Sequence, residues 1–176
     1  MSVAPEQRYD TTSIVLHWLV ALLVAALWVG GETIGWFAPG ALRGDVRSLH
    51  IALGTLLGMI GGIRVAWRLS FGSPVAPMDS GLMGAAAKLT HQGLYALLAM
   101  MVILGMEVLW ASGDSAFNTL SLDPLSVADQ ALTGKLQHWH GLIGWAIVIT
   151  VGLHVAAVLF HQILLRDGLM RRMLPR

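Results

Sequence analysis

The chain has no cysteine among its 176 residues. That excludes disulfides, thiolate iron–sulfur sites, zinc fingers and catalytic thiols. Charge is also scarce. Only 12% of residues are Asp, Glu, Lys or Arg, where a soluble domain carries about a quarter. With 56% hydrophobic residues and a mean hydropathy of +0.69, the shortfall places the chain in the membrane class. The net charge of +1 separates no function classes, and nothing in it addresses a nucleic acid. A cleavable leader is not expected. The polar start MSVAPEQRYDTTS runs straight into an apolar segment too long for a signal h-region, so that segment reads as a retained first helix.

Four apolar stretches follow, at about residues 13–36, 48–69, 88–110 and 138–165. Each has the roughly 20 residues that a spanning helix needs. The expected fold is therefore all-α, an integral membrane four-helix bundle forming one domain over residues 1–176. Trp18 and Trp36 suit the two interfacial belts, and Glu32 reads as a carboxylate reaching headgroup water. Gly54, Gly58, Gly61 and Gly62 form a small-residue stripe on the second segment. It reads as close helix packing or as room for a flat macrocycle, with packing ahead. The Met and Leu residues of the third segment are ordinary filling. The stretch from Ser70 to Ala87 reads as a loop, and the long acidic loop with Asp114, Asp123 and Asp129 admits a short surface helix near Ser126–Leu132. Four spans put both termini on one side. Arg8, Arg64, Arg68, Lys88, Arg166, Arg171, Arg172 and Arg176 lie on that side, against Arg43, Arg47 and Lys135 on the other. The positive-inside rule makes the first side cytoplasmic.

The chemistry sits in the histidines. Four of the seven, His138, His140, His154 and His161, lie in the fourth segment, and an ionisable group inside a membrane is a functional candidate. At about 100° and 1.5 Å per residue, His140 and His154 fall within roughly 40° of one face and about 21 Å apart. His161 shares that face, while His138 lies opposite, about 160° from His154. His50 matches His140 in depth near the outer surface, and His17 and His154 lie in the inner half. His91 and His161 sit about one turn from the cytoplasmic surface. Two layers of imidazoles on different helices can hold two haems, each iron taking one imidazole from either side. Without cysteine such haems are not covalently attached. His50 pairs with His140. The inner pair stays open between His17–His154, His17–His161 and His91–His154. Zinc is a weaker reading, because four ligands would have to converge at one depth. A proton relay is also weaker, because Glu32 and Glu107 lie near the outer boundary. Arg64 and Arg68, one turn apart, either snorkel to the headgroups or bind a carboxylate such as a haem propionate, with Arg64 the candidate for the propionate.

The HW of segment one, RSLHIALG and IRVAWRL of segment two, AKLTHQGLY of segment three and HGLIGWAIVITVGLHVAAVLFH of segment four resemble the bacterial cytochrome b561 family along nearly the whole chain. The resemblance implies a di-haem b-type cytochrome of the inner membrane, with His17, His50, His140 and His154 as the iron ligands. It decides the inner pair as His17–His154. It further implies electron exchange with ubiquinone. One branch similar to this chain, the superoxide oxidases, takes electrons from superoxide outside and passes them through two haems to ubiquinone. On that pattern Arg43, Arg47 or Lys135 would draw the anion to the outer site. His91, His161 and Arg68 would form the quinone site near the inner surface. The alternative is a membrane-anchor electron-transfer subunit for a separate dehydrogenase or hydrogenase, docked on the long outer loop.

Overall fold

The computed structural model describes residues 8–72, 75, 80–122 and 128–174. Four long helices dominate: α1 (Thr11–Thr33), α2 (Ala41–Ser70), α3 (Gly81–Ser112) and α4 (Gln130–Phe160). α4 runs on into a π-helical turn, His161–Leu165, and a 3-10 turn, Leu169–Met173, follows. Each of the four is long and apolar enough to cross a membrane. The fold is thus the expected all-α membrane bundle.

Three helices start earlier than the apolar runs suggest. A helix of 30 residues, the length of α2, rises about 45 Å, against about 30 Å of hydrocarbon. Hydropathy marks only the part in lipid. The stretches Ala41–Arg47, Gly81–Ala87 and Gln130–Gln137 are rich in helix formers and continue the hydrogen-bonded ladder into the interface. The loop expected from Ser70 to Ala87 therefore ends at Gly81, and residues 73–74 and 76–79 lie outside the described ones. In the expected surface helix near Ser126–Leu132, residues 126–127 fall outside the described chain, as does Asp123, and Gln130–Leu132 belong to α4. Arg176 is also outside.

Local chemistry fixes the ends. The Asp10 carboxylate caps α1, accepting from the Ser13 backbone N–H (2.9 Å) and the Ser13 hydroxyl (2.7 Å). Asp129 caps α4 through the Leu132 N–H at 2.9 Å. Gly113, at φ 66°, ends α3 in the left-handed conformation.

The bundle is built from two antiparallel hairpins, α1 with α2 and α3 with α4, joined more lightly through α2 and α3. That lighter contact is close where it occurs. A Cβ at Gly58 would stand 2.9 Å from Val102 Cγ1 of α3, so this glycine serves helix packing. One at Gly54 would reach Leu27 only at 4.0 Å, and ones at Gly61 or Gly62 would meet nothing within 4 Å. Ile14, Val20, Leu57, Leu109 and Ile147 are buried, while Leu22, Ile63, Ile103 and Leu153 point outward, as lipid-facing side chains do.

Both terminal segments meet at one end of the bundle. Tyr9 N–H donates to the Arg172 carbonyl (3.3 Å), Trp18 Nε1 to the Met173 carbonyl (2.7 Å) and Trp67 Nε1 to Asp10 (2.9 Å). At the opposite end, part of the long loop forms a two-strand hairpin, β1 (Ser115–Ala116) with β2 (Leu120–Ser121). Phe117 and Asn118 turn it with positive φ at both positions, 52° and 56°. Phe117 N–H donates to Ser48 Oγ at 3.2 Å, and Arg47 pairs with Asp114. The hairpin is thereby tied to the start of α2.

Candidate cofactor sites

Two pairs of imidazoles face each other between the hairpins. The rings of His50 (α2) and His140 (α4) have centroids 6.3 Å apart and planes at 72°. Those of His17 (α1) and His154 (α4) are 6.4 Å apart at 70°. Two imidazoles that ligate one iron from opposite sides, each nitrogen about 2.0 Å from the metal, put their centroids about 6.3 Å apart. Both pairs fit that span. His91 on α3 also reaches His154, but at 5.4 Å and 63°, too near for an iron between them. Nδ1 of His17, His50 and His140 is buried without a hydrogen-bond partner among the described residues. His50 leans toward the Leu27 carbonyl and His140 toward the Met101 carbonyl, but neither Nδ1 closes a hydrogen bond of full geometry. Buried polar atoms are rarely left so, and a histidine that gives one ring nitrogen to a metal commonly steadies the other on a carbonyl.

The hairpins impose a register that sequence reading missed. In the first, Leu27 meets Gly54 and Gly31 meets His50. In the second, Met101 meets Gly144 and Gly105 meets His140. Continued down the bundle, the same registers set Arg64 level with His17 and His91 level with His154. The ring contact between His91 and His154 bears this out, and Arg64 lies within electrostatic reach of His17, His91 and His154. Each helix therefore carries two positions fourteen residues apart: His17 and Gly31, His50 and Arg64, His91 and Gly105, His140 and His154. The level farther from the termini, outer on the expected topology, holds two histidines and two glycines. The level nearer the termini, inner on that topology, holds three histidines and an arginine. The repeated interval was available in the sequence, but glycine carries no side-chain chemistry to draw notice.

The remaining candidates separate. Arg64 stands over the Tyr95 ring at 5.5 Å, beside the inner histidines. Arg68 lies over Tyr9 at 5.0 Å. His161 is buried, with Nδ1 2.5 Å from Asp167 Oδ2. Arg166 and Gly168, both left-handed (φ 53° and 79°), fold the chain back to make that contact. Burial acts to raise the Asp167 carboxyl. The hydrogen bonds from His161 and the Leu169 amide outweigh it and hold the group below its ordinary value. Of the three residues expected at a quinone site, Arg68 lies over Tyr9 and within electrostatic reach of His91, which meets His154, while His161 is engaged by Asp167. His138 is exposed and lies against Trp139. Of the outer cations, Arg47 is engaged by Asp114, Lys135 is exposed and Arg43 half-buried. Glu32 and Glu107 are exposed. No group of three or more His, Cys, Asp or Glu converges as a metal site among the described residues.

Membrane-spanning helices that face imidazole pairs across their interior define a membrane haem protein. The comparisons agree. The chain belongs to the prokaryotic cytochrome b561 family, whose model matches residues 8–176. It is 29% identical over 173 residues to the probable superoxide oxidase CybB of Yersinia pestis, covering 97% of each chain. It is 26% identical to cytochrome b561 homolog 1 of Escherichia coli K12, over 96% of this chain and 98% of that one. It is 30% identical to cytochrome b562 of Cereibacter sphaeroides, over 97% and 98%. The protein is accordingly a multi-pass membrane cytochrome of electron transport, and its family implies haem b.

Proposed function

We propose that this chain is a single-domain, di-haem superoxide:ubiquinone oxidoreductase of the bacterial inner membrane, with both termini cytoplasmic. The observation that carries the di-haem reading is the matched spacing of the two imidazole pairs, 6.3 and 6.4 Å. His50 and His140 would hold the outer haem, and His17 and His154 the inner one. Bound haem supplies one-electron acceptance and release. Two superoxide anions each give up one electron and leave as dioxygen, and ubiquinone takes the two electrons and two protons to become the quinol.

The chain's own residues have distinct tasks. Arg43 and Lys135 raise the local concentration of the anion at the outer face. Arg47 contributes less, because Asp114 already offsets its charge. Arg64 sits among the inner histidines, where its cation favours an added electron and can receive a propionate carboxylate. At the inner end, His161 donates through Nδ1 to Asp167. The His161–Asp167 pair would serve proton exchange with the quinone, Asp167 being the neighbouring group for proton replacement. Arg68 and His91 complete this inner region. The share of positive charge on the terminal side, eight residues of eleven, supports the orientation.

The reading as an anchor subunit for a separate dehydrogenase or hydrogenase is less favoured. Part of the outer loop that would dock such a partner is folded against α2 through Ser48 and Arg47. The decisive experiment is stopped-flow mixing of the purified, haem-loaded protein with superoxide. Fast appearance of b-type reduced bands is expected, followed by reoxidation by a soluble ubiquinone. Haem that stays oxidised under superoxide but is reduced by a copurifying subunit points to the anchor role instead.

A further inference from the structure

The geometry points to Gly31 and Gly105 as positioning residues for the outer haem's ligands, each being the seat against which one imidazole is set. The inference rests on the proposed ligation by His50 and His140. A Cβ built at Gly31 would stand 3.2 Å from His50 Cε1 and 3.7 Å from its Nδ1. One at Gly105 would stand 3.3 Å from His140 Cε1 and 3.8 Å from its Nδ1. Carbon atoms in contact sit about 3.5–4.0 Å apart, so even a methyl group intrudes on both rings. In each case the intruded edge is the Cε1–Nδ1 edge, and it faces the neighbouring helix of the same hairpin.

The two seats are alike beyond the glycine. Leu27, whose carbonyl His50 approaches, precedes Gly31 by four residues. Met101, whose carbonyl His140 approaches, precedes Gly105 by four. In a helix that carbonyl lies one turn below the residue and on the same side. A bare backbone at the glycine lets the ring settle close enough to present Nδ1–H to it. That would select the tautomer with Nε2 open and set the plane of the ring. At the inner level the positions fourteen residues away on the same two helices are His17 and His91, so the seat is a device of the outer level alone.

The test uses the full chain purified with its haem, reading the haem-to-protein ratio and the low-temperature spin-resonance signals of the two ferric haems. Gly31→Val and Gly105→Val are each expected to halve the haem ratio, with loss of the outer signal and retention of the inner one. Gly31→Ala and Gly105→Ala are expected to keep both haems and shift only the outer haem's signal and midpoint potential. Gly62→Val makes the same kind of change where a Cβ meets nothing within 4 Å, and it should leave both signals unmoved. If the valine variants fail to accumulate, the alanine variants decide. Wild-type signals in both, or equal disturbance of both haems, overturn the seat assignment. His50→Ala is the separate control. If it keeps two haems with normal signals, the ligand assignment itself falls, whatever the glycine variants do.

Discussion

The outer and inner levels of the bundle are built on one register and furnished differently. Outside, two imidazoles lie against glycine backbone and lean toward helix carbonyls. Inside, two imidazoles at nearly the same spacing are backed by the side chains of Arg64 and His91. The scaffold repeats, and what stands behind the ligands differs. The inner level places a permanent cation and a third imidazole beside the proposed haem site. A nearby cation stabilises an added electron most where water is excluded, so the inner haem should hold its electron at the higher potential. Under the proposed two-haem reading, transfer from the outer to the inner level would then be downhill, across about 21 Å of helix α4.

The sharpest way to break the comparison is to remove a ligand from one level only. His140→Ala should lose the outer haem, keep the inner one and abolish reduction by superoxide, as read by difference spectra. If His138→Ala has this effect instead, the face assignment on α4 is wrong. Next in size, Arg64→Gln should lower the inner haem's midpoint potential by on the order of 60 mV, a tenfold change for a one-electron couple. The outer potential should stay where it is, and a redox titration that moves both equally erases the distinction between levels. Smaller still is Gly58→Ala, which forces a methyl against Val102 at the contact between the hairpins. Overpacking of this kind costs about 1–3 kcal/mol. Thermal stability should fall while the haem ratio at low temperature does not.

Much of this was legible in the sequence, for identifiable reasons. Lipid demands long apolar runs, so the four spans stood out. An ionisable group in hydrocarbon is conspicuous, so His17, His50, His140 and His154 did too; helix periodicity put His140 and His154 on one face, depth matched His50 with His140, and the family resemblance set His17 against His154. The helix ends were not legible. Beyond the hydrocarbon, Ala41–Arg47 and Gln130–Gln137 hold their helices by backbone bonding and capping, which hydropathy does not register. Neither was the backing of each ligand. Gly31, Gly105, Arg64 and His91 acquire their places only from the register between neighbouring helices. Asp167 was missed because the chain must reverse through the left-handed Arg166 and Gly168 before its carboxylate meets His161. Arg47 looked like a cation available to an anion until the β hairpin brought Asp114 to it.

The inner level offers the most direct test, because three imidazoles stand there where the proposed ligation uses two. The measurement is the haem-to-protein ratio of His17→Ala beside that of His91→Ala, each purified as the full chain from haem-sufficient cells. The spacing of 6.4 Å for His17–His154 against 5.4 Å for His91–His154 predicts one haem per chain in the first variant and two in the second. Two haems in His17→Ala and one in His91→Ala would contradict it.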